Sequence, residues 1–248
     1  MNYLVRGAVD IGLERNFLED YIRTEDFDDS SVLAIIADGS GTHDDRLQPA
    51  KLATDIFVDY FKKFRSEIYD YFKAYPTYYI EKCMNIANLA LGTLHMANEE
   101  LYSGYMTTMT VVYLDSEGHL YYSHIGNTRL YLLRNGQFTQ MTTDHTLAQE
   151  RLDNNEEIEY YLSMDRLKLT RCLGLNTDIN IESRYGTIKE NDVLLLTSDG
   201  IHYAVREEEM LRLVLESSVD TACQVLIECA KSVNYPDNMA AILIAQEQ

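Results

Sequence analysis

The chain has 248 residues, 46% hydrophobic and 25% charged; these are the proportions of a globular protein with a buried core, and they exclude a disordered chain, a collagen-like repeat and a disulfide-stapled miniprotein. Lysine and arginine number 21 against 40 aspartates and glutamates, so the net charge of −19 would repel polyanions, and we expect no nucleic-acid and no membrane partner. The four cysteines have no CxxC spacing, and no segment resembles a signal peptide or a membrane span. We interpret the cysteines as free thiols and expect a cytoplasmic protein. We also expect it to be a monomer.

The first half of the chain predicts one strand and two helices. Ser31–Ala37 is a short apolar run that predicts a buried strand, and the polar segment DGSGTHDDR that follows it predicts a loop. Between Pro49 and Phe64, apolar residues recur every three or four positions, which is typical of a helix with one buried face. A second helix with the same pattern is predicted from about Thr77 to Leu101.

The second half begins with four strand-like runs: MTTMTVVYLD, HLYYSHIG, RLYLLR and QFTQM. Asn135-Gly136 between the last two predicts a tight hairpin turn. The acidic segment Asp153–Asp165 is interpreted as an insertion or flap. The remaining predicted elements are a strand at Val193–Ser198, helices at about Glu207–Glu216 and Ser218–Ser232, and a final strand at Met239–Ala245.

This order predicts an α/β (α+β) fold in a single domain, residues 1–248. The expected architecture is a four-layer αββα sandwich, in which two mainly antiparallel β-sheets are flanked by antiparallel helix pairs.

Acidic residues at strand ends are the most informative chemical feature, because a carboxylate beside an apolar strand is costly without a cation or a donor. The pairs are Glu19-Asp20, Asp38-Gly39, Asp199-Gly200 and Asp237-Asn238. Each pair alone is explained by ordinary turn chemistry. Together they suit hard divalent cations, which prefer oxygen ligands.

The order of these motifs resembles that of the metal-dependent protein phosphatases of type 2C. GLERNFLED at 12–20 resembles G-x-x-R-x-x-N-E-D, and IIADGSGTHDD resembles V-A-D-G-M-G-G-H. The run from TTMTVV to DHTLAQE is similar to the family's central stretch, with its H-V-G-D-S-R and L-T-x-D-H-S motifs. LTRCLG, NDVLLLTSDGI and YPDNMAAIL resemble L-T-R-A-L-G, D-x-x-L-L-C-S-D-G-L and R-D-N-I-T-V-V-L. The similarity extends from about Gly7 to Ala245.

The resemblance implies two divalent metal ions, Mn²⁺ or Mg²⁺, that activate a bridging water for in-line attack on a phosphate. Asp38 would bridge the ions, Asp199 and Asp237 would hold the first, and Asp20 would lie beside the pair as a direct or water-mediated ligand. The complete implied ligand set is Glu19, Asp20, Asp38, the Gly39 carbonyl, Asp199 and Asp237.

The resemblance also implies two catalytic residues outside the ligand set. Arg15 would bind the substrate phosphate through its forked guanidinium. His43 stands where bacterial members carry the histidine of G-G-H, and a protonated imidazole there could act as general acid. The alternative for His43 is a solvated loop histidine.

The sequence departs from the family pattern at Asn127, where H-V-G-D has its aspartate. A neutral amide removes one anionic ligand, so a third metal site should be weakened. Ser40 and Thr42 also replace Met and Gly in the loop after Asp38.

The leading hypothesis is a serine/threonine phosphoprotein phosphatase whose partners are phosphoserine and phosphothreonine proteins and a cognate Ser/Thr kinase. Two alternatives stay open: a catalytically weak signalling module that binds a phosphorylated partner, and a hydrolase of small phosphoesters. Asn127→Asp separates the first alternative from the leading hypothesis, since a large gain in turnover would show that the natural enzyme is attenuated.

Overall fold

A computed structural model describes residues 1–41, 48–98, 102, 104–156 and 164–247. It contains two sheets, each built from antiparallel strand pairs. The strands are β1 (Tyr3–Asp10), β2 (Asp20–Asp26), β3 (Val32–Ser40), β4 (Met106–Thr107), β5 (Met109–Leu114), β6 (His119–Ile125), β7 (Arg129–Arg134), β8 (Gln137–Gln140), β9 (Glu182–Thr187), β10 (Val193–Thr197) and β11 (Met239–Gln246). The helices are α1 (Pro49–Glu67), α2 (Tyr69–Ala74), α3 (Pro76–Ala97), α4 (Leu147–Asp153), α5 (Asp199–His202), α6 (Glu207–Glu216) and α7 (Ala222–Ser232), with a 3₁₀ helix at Met164–Leu167.

The strand order of the first sheet is β1-β11-β10-β7-β8, and that of the second is β2-β3-β5-β6-β9, with β4 paired to β3. The four strand-like runs of the sequence are therefore divided between the sheets: β5 and β6 pair in the second, β7 and β8 in the first. Asn135 and Gly136 join β7 to β8 with φ of 53° and 76°, as a hairpin turn of this kind requires.

Alternation along β3 explains the layering. Leu33 and Ile35 face the core shared with α1, α2 and α3, whereas Val32, Ala34 and Ile36 face the core between the two sheets, because successive strand residues point to opposite faces. A third core joins the first sheet to α5, α6 and α7. The predicted four-layer αββα sandwich is confirmed.

Several predicted boundaries were wrong. β3 continues through Ser40, because its last residues still pair with β2 and β4, so Asp38 lies within a strand and not in the following loop. α7 begins at Ala222 and not at Ser218. β1, β2, β9 and the short helices α2, α4 and α5 were not predicted.

Two further observations bear on the sequence predictions. All four cysteines are free thiols, as predicted, and none of the described helices is long and apolar enough to cross a bilayer. Residues 157–163 of the acidic segment Asp153–Asp165 lie outside the described residues.

Candidate metal and phosphate site

The predicted carboxylates meet at one end of the two sheets. Asp20 opens β2 and lies directly opposite Asp38 in the register of β2 and β3. Asp199 follows β10, and Asp237 precedes β11, in the other sheet. A cavity of about 220 Å³ covers the group; its lining includes Arg15, Glu19, Asp38, Gly39, Asp199 and Asp237. Asp20 is 3% exposed and is absent from this lining.

Hydrogen bonds from the backbone and from small polar side chains fix these carboxylates. Ser198 Oγ donates to Asp20 Oδ2 at 2.6 Å and accepts from the Ala240 amide at 2.9 Å. The Asp38 amide donates to Thr108 Oγ1, and the Asp38 carbonyl accepts from the Thr107 hydroxyl and the Thr108 amide. The backbone of Asp38 is thereby held against Thr107 and Thr108.

Asn238 connects the N-terminal loop to the start of β11. Its Oδ1 accepts from the Glu19 amide at 2.6 Å, and its Nδ2 donates to the carbonyls of Ile11 and Phe17 at 2.7 and 3.1 Å. Sequence reasoning assigned no role to Asn238 or to Ser198. The only sequence signal was that each is adjacent to a predicted ligand.

The site concentrates negative charge away from water. Loss of hydration, reinforced by the charge of Asp199, raises the pKa of Asp38 well above its usual range. Burial likewise raises the pKa of Asp20, against the hydrogen bond from Ser198. Burial and the charge of Asp237 raise the pKa of Asp199 to about 7. The cluster therefore binds protons or cations readily.

Arg15 is the cation that lies among these groups. Its Nη2 donates to Asp237 at 2.8 Å, and its Nη1 lies 3.9 Å from Glu19. The hydrogen bond to Asp237 raises the pKa of the guanidinium. Its side chain is 45% exposed, so it borders the cavity while bonded to a predicted ligand.

Asn127 is buried against the same cluster. Its Nδ2 donates to Asp199 Oδ2 at 3.2 Å, which lowers the pKa of Asp199 against the larger effect of burial. Its Oδ1 is buried without a hydrogen-bond partner among the described residues. The Asn127 amide thus donates a hydrogen bond to Asp199. The family pattern has an aspartate at the position of Asn127.

The donor set suits a hard divalent cation. The candidate ligands are carboxylate oxygens and one carbonyl, with no sulfur or imidazole, which is the chemistry that Mg²⁺ and Mn²⁺ prefer. Among the residues that the structure describes, no group of three or more Asp, Glu, His or Cys side chains has the arrangement of a formed metal site. His43, predicted as a general acid, lies outside the described residues.

Comparisons with known proteins identify chains that are similar over nearly the whole length of this one. The family model described as "Protein phosphatase 2C" matches residues 14–243. Protein phosphatase PhpP of Streptococcus pneumoniae is 26% identical over 96% of this chain and 96% of its own length. The serine/threonine phosphatase PstP/Ppp of Mycobacterium tuberculosis superposes with a TM-score of 0.85 at 23% identity, covering all of both chains. The catalytic domain of PstP in complex with two manganese ions superposes with a TM-score of 0.76 at 23% identity, over 98% and 97% of the two chains.

Proposed function

Because the chain belongs to the protein phosphatase 2C family, we propose that it hydrolyses phosphoserine and phosphothreonine in proteins at the carboxylate site between the sheet ends. The observation that carries this proposal is the convergence of Glu19, Asp38, Asp199 and Asp237 on one cavity with Arg15 at its border. A cluster of like charges withdrawn from water is costly unless a cation stabilises it.

The ligands that we assign to two divalent cations are Glu19, Asp20, Asp38, the Gly39 carbonyl, Asp199 and Asp237. When bound, the cations supply the charge that neutralises a phosphoryl group and acidifies an attacking water. The manganese ions of the related PstP catalytic domain support the choice of Mn²⁺ as the first metal to test.

The chain's own contribution is to hold these oxygens and to present Arg15. Register fixes Asp20 against Asp38, Ser198 donates a hydrogen bond to the Asp20 carboxylate, and Asn238 holds the Glu19 backbone amide. The planar guanidinium of Arg15 can donate two parallel hydrogen bonds to phosphate oxygens. We assign it to substrate binding.

The environments of the cysteines do not favour a thiol nucleophile. Burial raises the pKa of Cys83, Cys172 and Cys223 to about 12, whereas a thiol nucleophile needs a lowered pKa. None of the four cysteines lines the carboxylate cavity.

The partners that fit this function are phosphoserine and phosphothreonine proteins and the kinase that modifies them. We propose that the protein acts as a monomer in the cytoplasm.

The proposal is tested by hydrolysis of a phosphothreonine peptide in EDTA, Mg²⁺ or Mn²⁺, with calorimetric titration of Mn²⁺ alongside. We expect turnover only with metal, and Asp38→Asn and Asp199→Asn to lose both turnover and Mn²⁺ binding. Asp55→Asn is the matched control, since Asp55 is a surface carboxylate paired with Lys51. Folded wild-type protein that hydrolyses nothing with any metal would overturn the proposal.

A further inference from the structure

A second cleft, of about 640 Å³, opens beside the carboxylate site. It is built on chain segments that also form that site. Leu167 lines the carboxylate cavity, and its neighbour Arg166 lines the cleft. Its lining includes Arg166, His202, Tyr203, Arg206, Glu207 and Tyr235.

The other two shared segments show the same arrangement. Asp199 and His202 are the two ends of α5, and Tyr235 precedes Asp237 by two residues. Since an extended chain covers about 3.3–3.6 Å per residue, a peptide with its phosphorylated residue in the carboxylate site could reach the cleft with a residue a few positions away.

The cleft offers hydrogen-bond donors suited to an anion. Arg206 is exposed, and its side chain forms no ion pair with any residue that the structure describes, although the chain carries a net charge of −19. The Arg166 guanidinium lies 4.7 Å from the centre of the Tyr203 ring. Tyr235 contributes a phenol to the same lining.

A buried histidine lines the cleft and is influenced by two arginines. His202 is 3% exposed, and burial lowers its pKa, an effect increased by the positive charges of Arg129 and Arg166. Its Nδ1 shares a hydrogen bond of 2.9 Å with the Thr197 hydroxyl, and its Nε2 has no partner among the described residues.

Two carboxylates, those of Glu207 and Glu208, also line the cleft. Glu207 lies 4.0 Å from Arg129 Nη1, which compensates part of its charge, and Glu208 is exposed to solvent. These acids set a limit on how many anionic groups the cleft can hold, so a single acidic side chain is the fitting ligand.

We propose that this cleft is a substrate subsite that binds one acidic side chain, a carboxylate or a second phosphate, within a few residues of the phosphorylated residue. The inference rests on the proposed phosphatase function and adds a sequence preference to it. Its energetic basis is a charge-assisted hydrogen bond to Arg206, with Tyr235 as a second donor.

The test uses phosphothreonine peptides of identical composition in which one aspartate is moved from position −4 to position +4. Net charge is thereby constant, and only placement varies. We expect kcat/KM to be about tenfold higher for one position or two adjacent ones, mainly through a lower KM, the effect of one hydrogen bond to a charged group.

Variants connect the preference to the cleft. Arg206→Gln and Tyr235→Phe should each reduce the preference while leaving hydrolysis of an aspartate-free peptide unchanged. Arg212→Gln is the matched control, since Arg212 is an exposed arginine of α6 paired with Glu209. A phosphonate analogue of phosphoserine at the preferred position shows whether carboxylate or phosphate is favoured.

Three outcomes decide between the proposals. Equal kcat/KM for all placements by an active, metal-dependent enzyme would overturn the subsite alone. A preference that survives intact in Arg206→Gln and Tyr235→Phe would also overturn it, because the preference would then arise elsewhere. Failure to hydrolyse any peptide would refute the proposed function together with the inference built on it.

Discussion

Replacing Asn127 with aspartate should make the metal-free protein strongly pH-sensitive. The Asn127 amide now donates to Asp199 Oδ2 over 3.2 Å, and the substitution exchanges that donor for a second carboxyl group. Two unit charges at this distance repel by about 5 kcal/mol at an effective dielectric constant of about 20. We expect the pair to keep one additional proton instead.

The size of the effect follows from proton linkage. Relative to its unfolded chain, the folded variant would hold one proton more than folded wild type does, so its free energy of unfolding should fall by about 1.4 kcal/mol per pH unit beyond the wild-type slope. Between pH 6.5 and 8.5 the additional loss is about 3 kcal/mol. Wild type itself should lose stability over this range in EDTA, because the folded-state pKa of Asp199 is raised to about 7.

The pH window avoids an opposing contribution from buried histidines. Burial lowers the pKa of His124 to about 3 and that of His202 well below its usual range. Stability from these groups is present above the unfolded pKa of about 6.5 and is lost as the pH falls below it. Above pH 6.5 the carboxylates therefore dominate the slope.

The assay is urea unfolding in EDTA at pH 6.5, 7.5 and 8.5, repeated with saturating Mn²⁺. Asn127→Ala is the control, since it removes the donor without adding charge and should shift stability by about 1–2 kcal/mol with a nearly wild-type pH slope. Mn²⁺ should flatten the slope of Asn127→Asp by replacing the retained proton. Parallel slopes for Asn127→Asp and wild type in EDTA would refute this account of the cluster.

Two further substitutions test the framework around the site. Gly12 has φ of 78°, and a Cβ there would lie 2.0 Å from the Asp237 carbonyl oxygen. Gly12→Ala should therefore lower the free energy of unfolding by about 2 kcal/mol or more and reduce turnover at least tenfold by displacing Asp237. Gly92 lies on a helix with open space around it, so Gly92→Ala is the control and should leave turnover unchanged. Arg129→Met should destabilise by about 3–5 kcal/mol in chemical unfolding, because it removes the buried cation that binds the Asp144 carboxylate through two contacts of 2.8 Å. Adding Asp144→Leu should recover much of that loss, and a double variant no more stable than the single one would contradict the explanation.

Strands that are deeply buried could be predicted from the sequence, and strands that are only partly buried could not. β3 and β10 gave clear signals because their central residues are buried on both faces, which produces an uninterrupted apolar run. β1 and β9 are edge strands that are at most half-buried, so their residues carry no such pattern. The pairing of β1 with β11 joins the two ends of the chain, and no local periodicity encodes it.

The candidate ligands could be located because a carboxylate beside an apolar strand needs compensation, but their mutual bonding could not. The link from Glu19 to Asn238 and the pairing of Arg15 with Asp237 join residues more than 200 positions apart. They depend on the three-dimensional packing of the sheet ends, and no spacing rule anticipates them.

The pairing of Arg15 with Asp237 has a consequence for substrate binding. A phosphate that bonds to the Arg15 guanidinium must compete with the Asp237 carboxylate, which holds Nη2 at 2.8 Å. A cation bound to the Asp237 carboxylate would weaken its hydrogen bond with Arg15. Occupation of the carboxylate site by a cation should therefore increase the affinity of Arg15 for phosphate, so that Arg15 couples metal loading to substrate binding in addition to the direct effect of the cations on the phosphoryl group.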